Sequence, residues 1–165
     1  MRQETDVTRK GFLFTSVAVL FAVGAALAFR FNFADGPPNW AVILGALFLG
    51  PPLVWSGYSF VRNSELAPYV GSELRNRVLI LSLILAALWL VYALIPSYVL
   101  DLEAAFEMSY LTFGIIFCIM VAMGATASVL TFELEFSEGL AHAGLYLLAT
   151  MALAVLSGIT LATAG

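Results

Sequence analysis

Charge is what this chain has least of. Asp, Glu, Lys and Arg make up 11% of its 165 residues and 62% are hydrophobic, against about 25% charged and about 45–50% apolar in an ordinary soluble domain. Mean hydropathy is +0.98. A water-soluble fold of this size has too little interior to hide so much apolar surface, so lipid must be the solvent for most of it. The few basic residues and the net charge of −4 argue against a nucleic-acid partner, because phosphate binding needs clustered Lys and Arg. The single cysteine, Cys118, rules out an internal disulfide and any metal site built on paired thiolates. The single histidine, His142, rules out bis-histidine haem within one chain. The sequence holds no nucleophile with an attendant base, no glycine-rich phosphate cradle and no zinc motif. Its longest polar connection, Arg62 to Arg77, leaves no room for a soluble catalytic domain.

Against these absences stand five long apolar runs. Polar punctuation divides the chain at Arg30 and Asp35-Gly36-Pro37-Pro38-Asn39, at Arg62 to Arg77, at Asp101, Glu103 and Glu107, and at Glu133, Glu135 and Glu138. The spacing predicts helices over 12–29, 40–61, 78–100, 108–132 and 139–164 in a single transmembrane domain, 1–165. At 1.5 Å per residue such runs reach roughly 27–38 Å, enough for a hydrocarbon layer of about 30 Å. With no water there to satisfy free backbone groups, each must be helical. A β-barrel is disfavoured because the runs lack two-residue alternation and are too long for strands. The fold class is therefore all-α, a polytopic bundle of about five helices. Arg9 and Lys10 before an apolar stretch, with Ala26-Leu27-Ala28 after it, imitate a signal peptide. Glu4 and Asp6 in the would-be basic region, and the 18 residues from Phe12 to Phe29, favour a first transmembrane helix.

Orientation follows from the basic residues. A cytoplasmic N-terminus places Arg2, Arg9, Lys10, Arg62, Arg75 and Arg77 on the inner side and Arg30 alone outside, the asymmetry that the positive-inside rule describes. The expected location is the cell membrane, multi-pass, with Thr163-Ala164-Gly165 outside. Trp40, Tyr58, Tyr98 and Tyr110 lie near run ends, where aromatic belts form. Trp89 and Tyr92 lie deeper and need hydrogen-bond partners. The connection between the fourth and fifth helices reads either as a tight turn or as a helix along the interface. No internal repeat emerges.

No Asp, Glu, Lys or Arg falls within the predicted spans, which counts against pumps, ion-coupled carriers and voltage sensors. Three features remain. Glu135, Glu138 and His142, beside Glu133, fall on one helical face at i, i+3 and i+7, a donor set able to hold a divalent cation. Their plainer reading is an acidic helix start that complements the macrodipole, with Glu138 and His142 paired. Gly50-Pro51-Pro52 interrupts the second helix, removing backbone donors and freeing carbonyls near Ala46, Leu47 and Phe48. Such a break is a candidate ion or substrate path, or simply a kink. Small residues, Gly124 and Ser128 on the fourth helix and Thr150, Ala154, Gly158 and Ala162 on the fifth, recur at spacings that let backbones approach closely. The Arg62–Arg77 loop reads as a solvated connection or as one resting on anionic headgroups.

The leading expectation is a non-catalytic helix-packing subunit in a homo- or hetero-oligomeric membrane complex. Its partners would be the lipid bilayer and other membrane chains or copies of itself, with no cofactor. The alternative is a small channel or carrier using the Pro51-Pro52 break with an acidic cytoplasmic mouth. A membrane-embedded metal enzyme on Glu135, Glu138 and His142 is a more distant third.

Overall fold

The computed structural model describes residues 2–33, 37–62, 68–103 and 107–163, without the side chains of residues 2–10, 39 and 97. Five helices follow one another: α1 Arg2–Asn32, α2 Asn39–Val61, α3 Gly71–Val99, α4 Tyr110–Phe132 and α5 Phe136–Leu156. All five are long and apolar enough to cross a membrane, and the chain is an all-α bundle. Asp35, Gly36 and part of the Arg62–Arg77 loop, including Glu65, lie outside the described residues, as do Ala164 and Gly165.

Several helix limits differ from those expected. α1 begins at Arg2 rather than at residue 12, because polar residues outside lipid propagate a helix as readily as apolar ones do inside it. α3 begins at Gly71 rather than at residue 78, and its first turns carry Glu73 and Arg77, whose side chains meet at 3.0 Å across one turn. The charge-free spans thus become helices with charged ends. α4 starts at Tyr110 rather than at residue 108, because the Ser109 hydroxyl caps it by accepting from the Thr112 N–H at 3.2 Å. It ends where Glu133 turns left-handed at φ 55°. α5 starts earlier than expected, at Phe136, through a capping box: Glu135 accepts from the backbone of the first turn, while the Glu138 carboxylate accepts from the Glu135 N–H at 3.0 Å. The connection from α4 to α5 is therefore a tight turn. α5 stops at Leu156, eight residues before the expected end, with Gly158 at φ 96°, a conformation that glycine adopts without steric cost.

Helices α2, α3, α4 and α5 form a ring in which each packs on the next, and α1 lies outside it against α2 and α5. Leu81, Leu85, Ala143, Tyr146 and Leu147 are fully enclosed, whereas Phe12, Phe21, Leu83, Leu111 and Leu130 face outward. Since lipid is as apolar as these side chains, the bundle is held by close packing and polar contacts rather than by hydrophobic exclusion. The α4–α5 pair is the most extensive contact, and it is built on absent side chains. A Cβ on Gly139 would sit 2.8 Å from the Ala125 carbonyl oxygen, and one on Gly124 would sit 2.9 Å from the Ala143 Cβ. On the other side of the ring, a Cβ on Gly50 would lie 2.8 Å from the Ser82 Cβ, so α2 and α3 touch at the proline break.

Polar latches hold the two ends. At the end shared by the C-termini of α2 and α4 and the N-termini of α3 and α5, Arg77 donates to the Thr131 carbonyl and to Glu73, and contacts Glu133 at 3.5 Å. Its guanidinium lies 3.9 Å from the centre of the Tyr69 ring. Burial, and then a hydrogen bond to Glu133, raise the Tyr69 phenol above its ordinary value, with Arg77 opposing. Tyr58 is buried rather than at an interfacial belt: it stacks on Phe132 at 4.4 Å and accepts from the Tyr69 N–H. At the opposite end the segment after α5 folds back. Thr163 N–H donates to the Met108 carbonyl, and Tyr92 donates to the Leu161 carbonyl at 2.7 Å. Trp40, Tyr98 and Tyr110 are exposed near this end, as belt residues should be.

Candidate functional site

Two neighbouring prolines lie inside α2, and a third, Pro96, lies near the end of α3. Pro51 and Pro52 sit within α2, which continues through them. Without their N–H groups the carbonyls four residues earlier lose their helical partners. Around this point three side chains from two other helices reach α2 carbonyls. Thr15 of α1 donates to Pro52 at 2.8 Å, Tyr146 of α5 donates to Ala46 at 3.3 Å, and the His142 ring of α5 meets Val54 at 2.9 Å. The sequence expectation placed the freed groups near Ala46, Leu47 and Phe48. The observed side-chain contacts fall on Ala46 and then on the far side of the break, at Pro52 and Val54.

The α5 contribution comes from one face. His142, Tyr146 and Thr150 are four residues apart and all buried. Thr150 accepts from the Trp89 indole at 3.1 Å and donates back to its own helix. Trp89 and Tyr92, the two deep aromatics that needed partners, thus both have them. The His142 ring stands edge-on to Phe132 at 5.7 Å between centres, and it fits against α2 only because Gly57 has no side chain: a Cβ there would overlap the imidazole. Val54 can only accept, so the His142 nitrogen facing it, Nε2, carries the hydrogen. Among the described residues Nδ1, then a bare lone pair, and the Ser128 hydroxyl are both buried without a hydrogen-bond partner.

The acidic cluster divides. Glu135 and Glu138 close the capping box at the start of α5, while His142 turns inward to α2. Among the described residues no three His, Cys, Asp or Glu side chains converge as a metal site, so the i, i+3, i+7 spacing does not gather its members into one ligand set.

The small residues divide too. Gly124, Ser128 and Thr150 are buried inside the chain's own bundle and Ala154 is half-buried. Gly158 and Ala162 lie beyond the end of α5, so the four-residue stripe does not continue along the helix. A second set, not singled out from the sequence, faces outward. Gly114, Cys118 and Ala122 follow one another at four-residue intervals on the free side of α4, Gly114 half-buried and the other two exposed. Nothing lies within 4 Å of a Cβ placed on Gly114. Together with Tyr110, Leu111, Ile115 and Ile119, Gly114 and Cys118 line a shallow groove in the outer surface. The same spacing rule would have found this set. What the sequence does not say is which side of an all-apolar helix faces the bundle. Compared with known protein families, curated proteins and solved structures, the chain matches none.

Proposed function

We propose that this integral membrane protein is a non-catalytic subunit of a membrane complex, associating through the outer face of α4. The observation that carries the reading is the outward stripe Gly114, Cys118 and Ala122, the first two of which line the groove. Small residues at that spacing let a second helix approach backbone to backbone where hydrophobicity supplies no drive. The interior polar groups support it as well: Thr15, Tyr146 and the Nε2 of His142 are engaged with the chain's own carbonyls. The basic residues Arg62, Arg75 and Arg77 gather at the end that holds the start of α1, which favours a cytoplasmic N-terminus.

Cys118 supplies the test, since it is the chain's only thiol and is exposed within the groove. Oxidative or bis-maleimide cross-linking in native membranes should give one product of defined mass, and Cys118→Ser should abolish it. Quantitative labelling of Cys118 by a lipid-soluble maleimide with no cross-linked product would count against the reading.

A second reading, a small channel or carrier, rests on one observation: the buried side chains of His142 and Tyr146 reach α2 carbonyls on either side of Pro51 and Pro52. It predicts flux in reconstituted vesicles that falls when Pro51 and Pro52 become alanine, and flux no higher than in empty liposomes dismisses it.

A further inference from the structure

His142 is the chain's only histidine and is fully buried between α5 and α2. A neutral imidazole offers one donor and one lone pair. The donor is used, at 2.9 Å from Val54, and among the described residues the lone pair on Nδ1 has no hydrogen-bond partner. The ring is held by geometry on three sides, by the Val54 carbonyl, by the Phe132 edge and by the space left at Gly57. A structural imidazole needs no free nitrogen. A buried, unpartnered proton acceptor at the contact between two helices is the arrangement expected of a switch.

We propose that His142 is a proton-operated joint between α2 and α5, closed while the imidazole is neutral and opened when Nδ1 takes up a proton. The protonated ring has two donors and a positive charge, and among the described residues only the Val54 carbonyl stands within hydrogen-bond distance of it. From α2 it faces the Val54 carbonyl and Gly57, and beyond them Tyr58, whose hydroxyl already accepts from Tyr69. From α4 it faces Phe132, with the Ser128 hydroxyl one turn earlier on the same helical face. Glu133, just beyond α4, is paired with Arg77 of α3. On α1, Thr15 is engaged with Pro52. On α5 itself Tyr146 donates to Ala46, and Glu138, one turn before the ring, sits in the capping box. Among the described residues no carboxylate pairs with the ring. A cation without a counter-charge in a layer that excludes water is costly. The nearest relief lies along its own helix toward Glu138 and Glu135. The ring would swing to that end, give up Val54 and part α5 from α2 beside the break.

The single histidine makes the test clean. In the full-length protein in lipid nanodiscs, the 15N spectrum of labelled histidine at about pH 7.5 should show a protonated Nε2 and a bare Nδ1; the opposite tautomer overturns the proposal. On acidification to about pH 5, the melting temperature of the native chain should fall by roughly twice as much as that of His142→Gln, whose amide still donates to Val54 but does not titrate. Equal losses overturn it, because the exposed carboxylates would then account for the whole effect. If His142→Gln does not fold, the native chain alone decides. An imidazolium signal that appears together with faster amide exchange along the α2–α5 contact supports the joint. An imidazolium in an unchanged fold, or none before global unfolding, refutes it.

Discussion

Replacing Gly139 by alanine adds one methyl group where α5 rests directly on the backbone of α4. The new Cβ would lie 2.8 Å from the Ala125 carbonyl oxygen and equally close to a Val129 methyl. Ordinary carbon–oxygen contacts between helices are about 3.3–3.6 Å, so α5 must retreat by roughly 0.5–0.8 Å along that line. A main-chain oxygen cannot rotate away, and the retreat also loosens the neighbouring contact of Gly124 with Ala143. Overpacking of this kind costs about 1–3 kcal/mol, against a helix-propensity gain from losing glycine of about 0.5–1 kcal/mol. Gly144→Ala provides the control on the same helix, since nothing lies within 4 Å of its added Cβ. Subtracting the two cancels the propensity gain and leaves the packing cost, about 1–3 kcal/mol. Reversible unfolding in mixed micelles with a denaturing detergent, followed by tryptophan fluorescence, measures both variants. If Gly139→Ala is as stable as Gly144→Ala, α4 and α5 do not meet as described and the reasoning from close approach fails.

Further outcomes follow from the same contacts. Gly57→Ala should displace the His142 ring and lose its bond to Val54, lowering stability by about 1–3 kcal/mol relative to Gly45→Ala, which adds a methyl to open space on the same helix. Arg77→Ala should cost about 1–2 kcal/mol, mostly through the lost Thr131 bond and the Tyr69 stacking. The Glu73 and Glu133 carboxylates are well exposed and contribute little of that. Arg77→Lys should recover only part of it, because an ammonium cannot serve the ring and the carbonyl together. The Tyr69 phenol is raised in the folded state, so its contribution is fully present below the unfolded value of about 10 and is lost as pH rises through the folded one. Melting curves above about pH 10 should therefore fall less steeply for Tyr69→Phe than for the native chain.

The membrane character and the number of helices were legible because lipid imposes them through length and composition. Five runs of sufficient length admit little else. Helix ends were harder. Residues 2–10 and 71–77 are too polar to register as a span, yet α1 and α3 run through them, because polar residues in water propagate a helix as readily as apolar ones in lipid. The end of α5 was overshot because Gly158 and Ala162 suit lipid as well as any helical residue, and only the left-handed turn at Gly158 marks the stop. Within the site, the proline break and its need for partners could be read from the residue types alone. The polar side chains that meet α2 there could not, because Thr15 and Tyr146 look like ordinary members of apolar runs until the helices are assembled, and they reach Pro52 and Ala46 rather than the carbonyls that the prolines free. His142 was visible as an oddity but was grouped with the glutamates preceding it. Helical spacing places residues on a common face and does not distinguish a helix start in water from a ring four to seven residues further along in the bundle. For the same reason spacing alone does not separate the inward small residues of α4, Gly124 and Ser128, from the outward ones, Gly114, Cys118 and Ala122.

The most direct test of the account is the native mass of the protein released gently from membranes with its lipids and neighbours retained, measured beside Gly114→Leu. That substitution fills the α4 groove and has open space for its first atom, so the fold itself should be untouched. The native chain should run as a complex of defined stoichiometry, and Gly114→Leu should shift it to the lone chain, still folded. A native protein that is a monomer throughout, or a complex indifferent to Gly114→Leu, would contradict it.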